Sequence, residues 1–151
     1  MNENLKQTAE QFFTLINRLR HLGPDAPPTQ EADIAHSHVS ILDYVAASPG
    51  CGIQDIARGL DLATPTVSIA VRQLDEKGLI TRRPNPRDGR AVQVILTQEG
   101  ETLHQRMHRF RLQKFECLLE GLTAQQRTTL LDLFEQALDS AENREENRRD
   151  Q

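Results

Sequence analysis

The chain has 151 residues, enough for one domain with a real core or for one compact domain with a helical appendage. Its hydrophobic content of 37% includes only 4% aromatic residues and no Trp, which predicts an aliphatic core. No apolar run approaches the roughly 20 residues of a membrane-spanning helix. The first residues also lack the basic start and apolar stretch of a signal peptide. We therefore expect a cytoplasmic protein with no membrane partner.

The net charge of −4 conceals an uneven distribution of charge. Between residues 72 and 90, six cationic side chains accompany three anionic ones, so this segment carries +3 and the rest of the chain −7. The local field, rather than the total charge, steers a polyanion. The segment is therefore a candidate for contact with nucleic acid.

Apolar residues at helical spacing predict two helices in the first third of the chain. The first extends from residue 5 to residue 22, and Gly23-Pro24 and the loop 25–29 follow it. The second extends from about Asp33 to Ala47. Ser48-Pro49-Gly50 ends it.

A short helix over residues 53–60, a turn and a longer amphipathic helix then predict a helix-turn-helix. Thr64 is placed to cap the second helix, Pro65 suits its first position, and Gly78 ends it. The predicted buried face consists of Val67, Ala70, Val71 and Leu74. The outward side chains are Thr66, Ser68, Ile69, Arg72 and Gln73. Such a helix start fits the major groove, where these side chains would contact base edges or phosphate. An ordinary solvated helix face is the alternative.

Residues 79–100 predict a β-hairpin with a cationic tip. Pro84-Asn85-Pro86 and Asp88-Gly89 are turn sequences between two strand-like runs. Asp88 lies two residues before Arg90, a spacing at which its carboxylate can orient the guanidinium. Held at a hairpin tip, that guanidinium would enter a narrow minor groove. The cations suited to phosphate contact are Arg82, Arg83 and Arg87. A solvated cationic loop is the alternative.

Two long helices are predicted after the hairpin. Thr97 caps the first, which extends to about Glu120, and Thr123 with Gln126 forms a capping box for the second. The first helix of the chain and these last two carry apolar stripes that look wide for a small monomer. We therefore predict that they pack against each other and against a second copy. The alternative is that they only close the monomer's own core.

The order of these elements resembles the MarR family of winged-helix transcription regulators over about residues 5–141. The resemblance rests on PTVSIAVRQLDEKGLI at the recognition helix and its exit, on Asp88-Gly89-Arg90 at the wing, and on VILTQEG after it. Two residues depart from the family pattern. Ile69 lies where many relatives carry a polar or basic base-contacting residue, and Gly89 where an additional arginine is common.

The resemblance implies a mainly α fold with a small β-hairpin wing, in which N- and C-terminal dimerisation helices flank a winged helix-turn-helix. The DNA-binding lobe would cover residues 33–100, and the helical dimerisation region residues 1–32 and 101–151. It also implies a homodimer on a palindromic operator. A crevice between the dimer helices and the DNA-binding lobe would bind a small-molecule effector.

The sequence thus predicts a homodimeric regulator of transcription that binds double-stranded DNA, most simply a repressor relieved by an effector. We expect no enzymatic activity, catalytic residue, metal or cofactor. The predicted DNA-binding residues are Thr64, Pro65, Thr66, Ser68, Ile69, Arg72, Gln73, Arg82, Arg83, Arg87, Asp88 and Arg90.

Four alternatives remain open. His104 and His108 share a helix face and could bind a sensed metal with His36 or His38. Cys51 or Cys117 could sense oxidants, although no CxxC motif is present. The same histidines could serve a metal-dependent enzyme, although the chain has no HExxH motif or nucleophile elbow. A helical interaction module without DNA binding is the fourth.

Overall fold

The computed structural model describes residues 3–22 and 27–149. Its elements in chain order are α1 (Glu3–Arg20), α2 (Pro28–Glu31), α3 (His36–Ala47), α4 (Ile53–Gly59), α5 (Thr64–Glu76), β1 (Ile80–Pro84), β2 (Val92–Leu96), α6 (Gln98–Glu120) and α7 (Ala124–Arg149). The predicted class, mainly α with a small β-hairpin, is confirmed. The predicted stop at Gly23-Pro24 and residues 25–26 of the loop lie outside the described residues. Among the helices that are described, none has both the length and the apolar character of a membrane span.

The chain divides into two compact units. One consists of Pro24–Leu112 and the other of Met1–Gly23 and Gln113–Gln151. We call the first the winged unit and the second the terminal-helix unit. Helix α6 begins in the winged unit and ends in the terminal-helix unit. The roles expected for the chain's regions, DNA binding and dimerisation, stay predictions.

The winged unit is built around one apolar core. Its buried members are Ile34, Ile41, Leu42, Val45, Cys51, Ile56, Ala57, Val67, Ala70, Val71, Leu74, Leu79, Ile80, Val94, Leu103 and Met107. No aromatic ring occurs among the buried side chains of the described residues, so the expected aliphatic core is confirmed. All four residues predicted for the buried face of α5 belong to this core, and helical periodicity therefore predicted that face correctly.

The hairpin is anchored to the helices at its base. Strands β1 and β2 pair antiparallel, with Ile80 opposite Leu96 and Pro84 opposite Val92. The main chain of Val94 also bonds to the segment between α3 and α4. Its N–H donates to the Cys51 carbonyl at 2.9 Å, and its carbonyl accepts the Gly50 N–H at 3.0 Å. These bonds fix the base of the hairpin and leave its tip to extend from the unit.

Three predicted helix boundaries are confirmed, two by hydrogen bonds and one by backbone conformation. The Thr97 hydroxyl accepts the Gly100 N–H at 3.1 Å at the start of α6. Before α7, the Thr123 N–H donates to the Gln126 side chain at 2.9 Å, and the Gln126 N–H donates back to the Thr123 hydroxyl at 3.3 Å. After α5, Gly78 adopts a φ of +71°, the left-handed conformation that favours glycine past a helix end.

Two predicted helix starts were wrong. The cap of α5 is Ala63, whose carbonyl accepts the Val67 N–H at 3.2 Å, and Thr64 is already helical. Pro65 is tolerated there because the first N–H groups of a helix have no intrahelical partner. Helix α3, the second helix predicted from the sequence, begins at His36 and not near Asp33. Asp33 has a φ of 49° and follows the short helix α2, which overlaps the predicted loop.

The terminal-helix unit exposes much of its apolar surface. No residue of α1 is buried, nor is any described side chain of α7. Phe12 and Phe134 stack with ring centroids 6.4 Å apart. The exposed large apolar side chains of this unit are Leu5, Phe12, Phe13, Leu15, Leu22, Phe115, Leu118, Leu130, Leu131, Leu133, Phe134 and Leu138. The unit therefore lacks a buried core among its described residues.

Candidate nucleic-acid interface

Helix α5 presents most of its candidate DNA-contacting side chains to solvent. The exposed ones are Thr64, Pro65, Thr66, Ile69, Arg72 and Gln73, while Ser68 is half-buried. Ile69 is 50% exposed, although it is a large apolar residue. Exposure of an aliphatic side chain beside polar neighbours suits contact with a thymine methyl group. The structure thus places this set on the surface opposite the four buried residues of α5.

The far end of this surface lies beside α3 and the segment that precedes it. Lys77 Nζ donates to the Asp33 carbonyl at 2.6 Å, and the Gln73 side chain lies next to His38. Burial lowers the pKa of His38, and the charge of Lys77 lowers it further, although the Gln73 side chain opposes them. His38 Nδ1 is buried and has no hydrogen-bond partner. The sequence predicts neither the contact of His38 with α5 nor that of Lys77 with Asp33, since each joins residues more than thirty positions apart.

The tip of the hairpin is held by short-range hydrogen bonds. The Asn85 side chain accepts the Arg87 N–H at 2.9 Å, and the Asp88 carboxylate accepts the Arg90 N–H at 3.1 Å. The Asp88 carbonyl also accepts the Ala91 N–H at 3.0 Å. These bonds shape two consecutive turns by the mechanism that favours Asn and Asp in turns.

The predicted role of Asp88 needs one correction. Its carboxylate was expected to orient the Arg90 guanidinium, but it holds the main-chain N–H of Arg90 instead. At a separation of two residues, the main-chain N–H is the nearer donor. Asp88 therefore fixes the loop that carries Arg90. The side chains of Arg83, Arg87 and Arg90 are all exposed.

Arg82 differs from the other wing cations because it has an acidic partner on α5. Its Nε lies 2.8 Å from Asp75 Oδ2, with the two side chains 44% and 31% exposed. The pair joins the base of the wing to the last turn of α5. The sequence predicts phosphate contact for Arg82 and no role for Asp75. Its signal for the pair is limited to the presence of acidic residues within the cationic segment.

The geometry gives little support to a metal site at the histidines or to Cys51 as a reactive thiol. Among the residues that the structure describes, no three His, Cys, Asp or Glu side chains form a metal-binding group. His104 Nε2 lies 3.1 Å from Asp43 Oδ1, and Asp43 also binds Arg111. Burial raises the pKa of Cys51, which disfavours its reactive thiolate. Cys117 is exposed.

A helix-turn-helix with an exposed second helix and a cationic hairpin defines a winged-helix DNA-binding protein. A family model described as the MarR family matches residues 32–91. The uncharacterized HTH-type transcriptional regulator YwhA of Bacillus subtilis is 30% identical over 94 residues, which cover 62% of this chain and 68% of that protein.

Solved structures show the same fold. A MarR-like transcriptional regulator from Thermotoga maritima has a TM-score of 0.72 at 20% identity, over 94% of this chain and 98% of that one. A mutant of S. aureus MepR bound to an oligodeoxyribonucleotide has a TM-score of 0.65 at 23% identity, over 89% of this chain and 97% of that one. The PcaV regulator of Streptomyces coelicolor, in complex with its natural ligand, has a TM-score of 0.53 at 21% identity, over 93% of each chain.

The chain belongs to the MarR family. Its family and its relatives are transcriptional regulators, so the protein is a regulator of transcription and not an enzyme.

Proposed function

We propose that the protein acts in the cytoplasm as a homodimeric repressor, which binds a palindromic operator and is released from it by a small-molecule effector. The observation that carries the proposal is one compact unit with two candidate DNA-binding surfaces, the outward face of α5 and the cationic tip of the wing. Similarity to MepR, which was solved with an oligodeoxyribonucleotide, supports the choice of DNA as partner.

Each lobe would insert the first turns of α5 into the major groove. Thr66, Ile69 and Arg72 would then contact base edges or the adjoining phosphates. The wing would follow the neighbouring backbone, with Arg83 and Arg87 on phosphates and Arg90 in the minor groove. Affinity would come mainly from the arginine–phosphate contacts, and sequence specificity from α5 and Arg90.

The dimer would form through the apolar side chains exposed on α1 and α7. So many exposed large apolar side chains on two helices mark an interface more often than a solvated face. A symmetric pair of lobes requires two half-sites of opposite orientation, with centres separated by about 34 Å, or one turn of DNA. This geometry is the reason for proposing a palindrome.

The effector would act by favouring one arrangement of the two lobes over another. Its effect is limited by the difference between its affinities for the DNA-bound and free states. PcaV, solved with its natural ligand, supports a ligand-responsive regulator in this family. Release of DNA by the effector makes the protein a repressor whose target is expressed when the effector is present.

In vitro selection from a random duplex pool tests the proposal directly. We expect the wild-type protein to enrich an inverted repeat. On that duplex, Arg90→Ala should lower the affinity at least about fivefold, because it removes a groove contact worth about 1–3 kcal/mol. The matched control is Arg109→Ala, which removes the same charge from an exposed position on α6.

Equal binding by the wild type, Arg90→Ala and Arg109→Ala would rule out the role of the wing. Enrichment of no duplex at all would rule out the proposed function.

A further inference from the structure

Helix α6 is held by the apolar core over only part of its length. The helix has 23 residues, and Gly100, Leu103 and Met107 are its buried members. None of the residues from His108 to Glu120 is buried. Full burial of α6 side chains therefore ends at Met107, about one turn before α6 leaves the winged unit after Leu112. Over that last turn a polar contact with α3 adds to the partly buried packing.

The start of α6 is fixed to the turn that follows α5. The Thr97 hydroxyl donates to the Gly78 carbonyl at 2.6 Å, and the Thr97 N–H donates to the Leu79 carbonyl at 3.1 Å. Gly100 lies so close to the Leu79 carbonyl that an added Cβ would collide with its oxygen. The first turn of α6 and the exit of α5 are therefore positioned together.

The far end of α6 in this unit is held by one carboxylate on α3. Asp43 accepts two hydrogen bonds from the Arg111 guanidinium, from Nη1 at 2.7 Å and from Nη2 at 2.8 Å. The same carboxylate lies 3.1 Å from His104 Nε2. His104 and Arg111 are seven residues apart, about two turns, and so lie on one face of the helix.

This contact contributes more to the direction of α6 than to the stability of the fold. The Arg111 and Asp43 side chains are 41% and 33% exposed, so solvent weakens their attraction. A bidentate arginine–carboxylate pair nevertheless has a defined direction. The contact lies roughly 17 Å along the helix from Gly100, at 1.5 Å per residue. If α6 were held only near Gly100, it could pivot about that point. The second contact, at Arg111, prevents this motion.

We propose that Asp43 and Arg111 are positioning residues for operator recognition: they fix the direction of α6 on the winged unit and thereby the half-site spacing that the dimer accepts. The inference rests on the proposed function, since it needs two copies joined through the terminal helices. Neither residue touches DNA in this scheme. Their loss should leave each lobe able to bind its half-site and should widen the range of spacings that two lobes tolerate.

The decisive experiment compares duplexes that carry the selected half-sites at the selected spacing, at one base pair more, and at one base pair fewer. A fourth duplex carries a single half-site. Asp43→Asn and Arg111→Gln remove one charge each. The double variant Asp43→Arg with Arg111→Asp restores the pair in reverse, and Arg109→Gln is the matched control.

We expect the wild type and the control to prefer the selected spacing at least about tenfold. Asp43→Asn and Arg111→Gln should reduce that preference to less than about threefold, with single half-site affinity within about twofold of the wild type. The double variant should recover part of the preference. Melting temperatures should fall by no more than about 4 °C, which separates positioning from simple stabilisation.

A second measurement needs no DNA. Spin labels placed through Gln54→Cys, in a Cys117→Ser background, report the distance between the two lobes of the free dimer. The distribution should be narrow for the wild type and broader for Asp43→Asn.

Unchanged spacing profiles and unchanged distance distributions in the single variants would overturn this inference alone. A monomeric wild type, or one that selects no duplex, would overturn the proposed function and this inference together.

Discussion

Arg82 is a cation at the base of the wing whose charge is already engaged by Asp75 at 2.8 Å. Asp75→Asn should free it to contact phosphate. Each added phosphate contact steepens the slope of log Kobs against log salt by about 0.9. We therefore expect a steeper slope for Asp75→Asn, measured by anisotropy titrations between about 50 and 200 mM salt. Glu76→Gln, the exposed neighbour, controls for loss of a negative charge. Equal slopes for the two variants would contradict the assignment.

His38 predicts a pH dependence of stability. Burial and Lys77 lower its pKa in the folded state, so folding favours the neutral imidazole. The contribution of neutral His38 to the free energy of unfolding is therefore complete above the unfolded-state pKa of 6.5. It is lost as the pH falls from 6.5 through the lower pKa of the folded state. His38→Gln should flatten the loss of stability between about pH 7.5 and 5, measured from urea midpoints. The exposed His108→Gln is the control, and identical profiles for wild type and His38→Gln would refute the prediction.

The local sequence predicts some contacts of individual residues and not others. The buried face of α5 follows from helical periodicity, and the turn at Asn85 and Asp88 from local hydrogen bonding. The Asp43–Arg111 pair joins residues 68 positions apart, so only the packed structure identifies it. The turn at Asp88 is predicted by the sequence, but the choice of the Arg90 main-chain N–H over its guanidinium as the donor is visible only in the loop geometry.

At the scale of elements, the crossing of α6 with the α5 exit depends on Gly100. A methyl group there would meet the Leu79 carbonyl oxygen, a main-chain atom that cannot rotate away. Gly100→Ala should therefore destabilise the winged unit by about 1–3 kcal/mol, the usual cost of overpacking. Thermal unfolding followed by circular dichroism measures the change. Gly121→Ala is the matched control, because its added Cβ meets nothing within 4 Å. Equal melting temperatures for the two variants would show that α6 shifts without cost.

Helix boundaries were predictable where a side chain caps the helix or a glycine ends it. Thr97, Thr123 and Gly78 are of this kind. The start of α5 was not, because its cap is Ala63, which contributes only a carbonyl group. Helix α2 was missed because it has four residues, too few for a periodic apolar pattern.

At the scale of the whole molecule, the order of elements was sufficient to predict a winged helix-turn-helix, because each element carries its own local signal. The dimer, the operator and the effector involve partners outside the chain. Their prediction rests on surfaces, chiefly the outward face of α5 and the apolar faces of α1 and α7. A surface indicates the chemistry of a partner but not its identity. The assignment of dimerisation to the terminal helices therefore needs its own test.

Phe134 provides that test. It stacks on Phe12 yet is 46% exposed, which is unfavourable for an aromatic ring unless a second copy covers it. Phe134→Asp should raise the dimer dissociation constant at least about 30-fold, the effect of an interface residue worth 2 kcal/mol. Sedimentation velocity over a range of concentrations measures the constant. Gln136→Asp adds the same charge at an exposed position on the same helix and should leave it within about twofold. A dimer that tolerates both substitutions equally would place the interface elsewhere, and a monomeric wild type would remove it altogether.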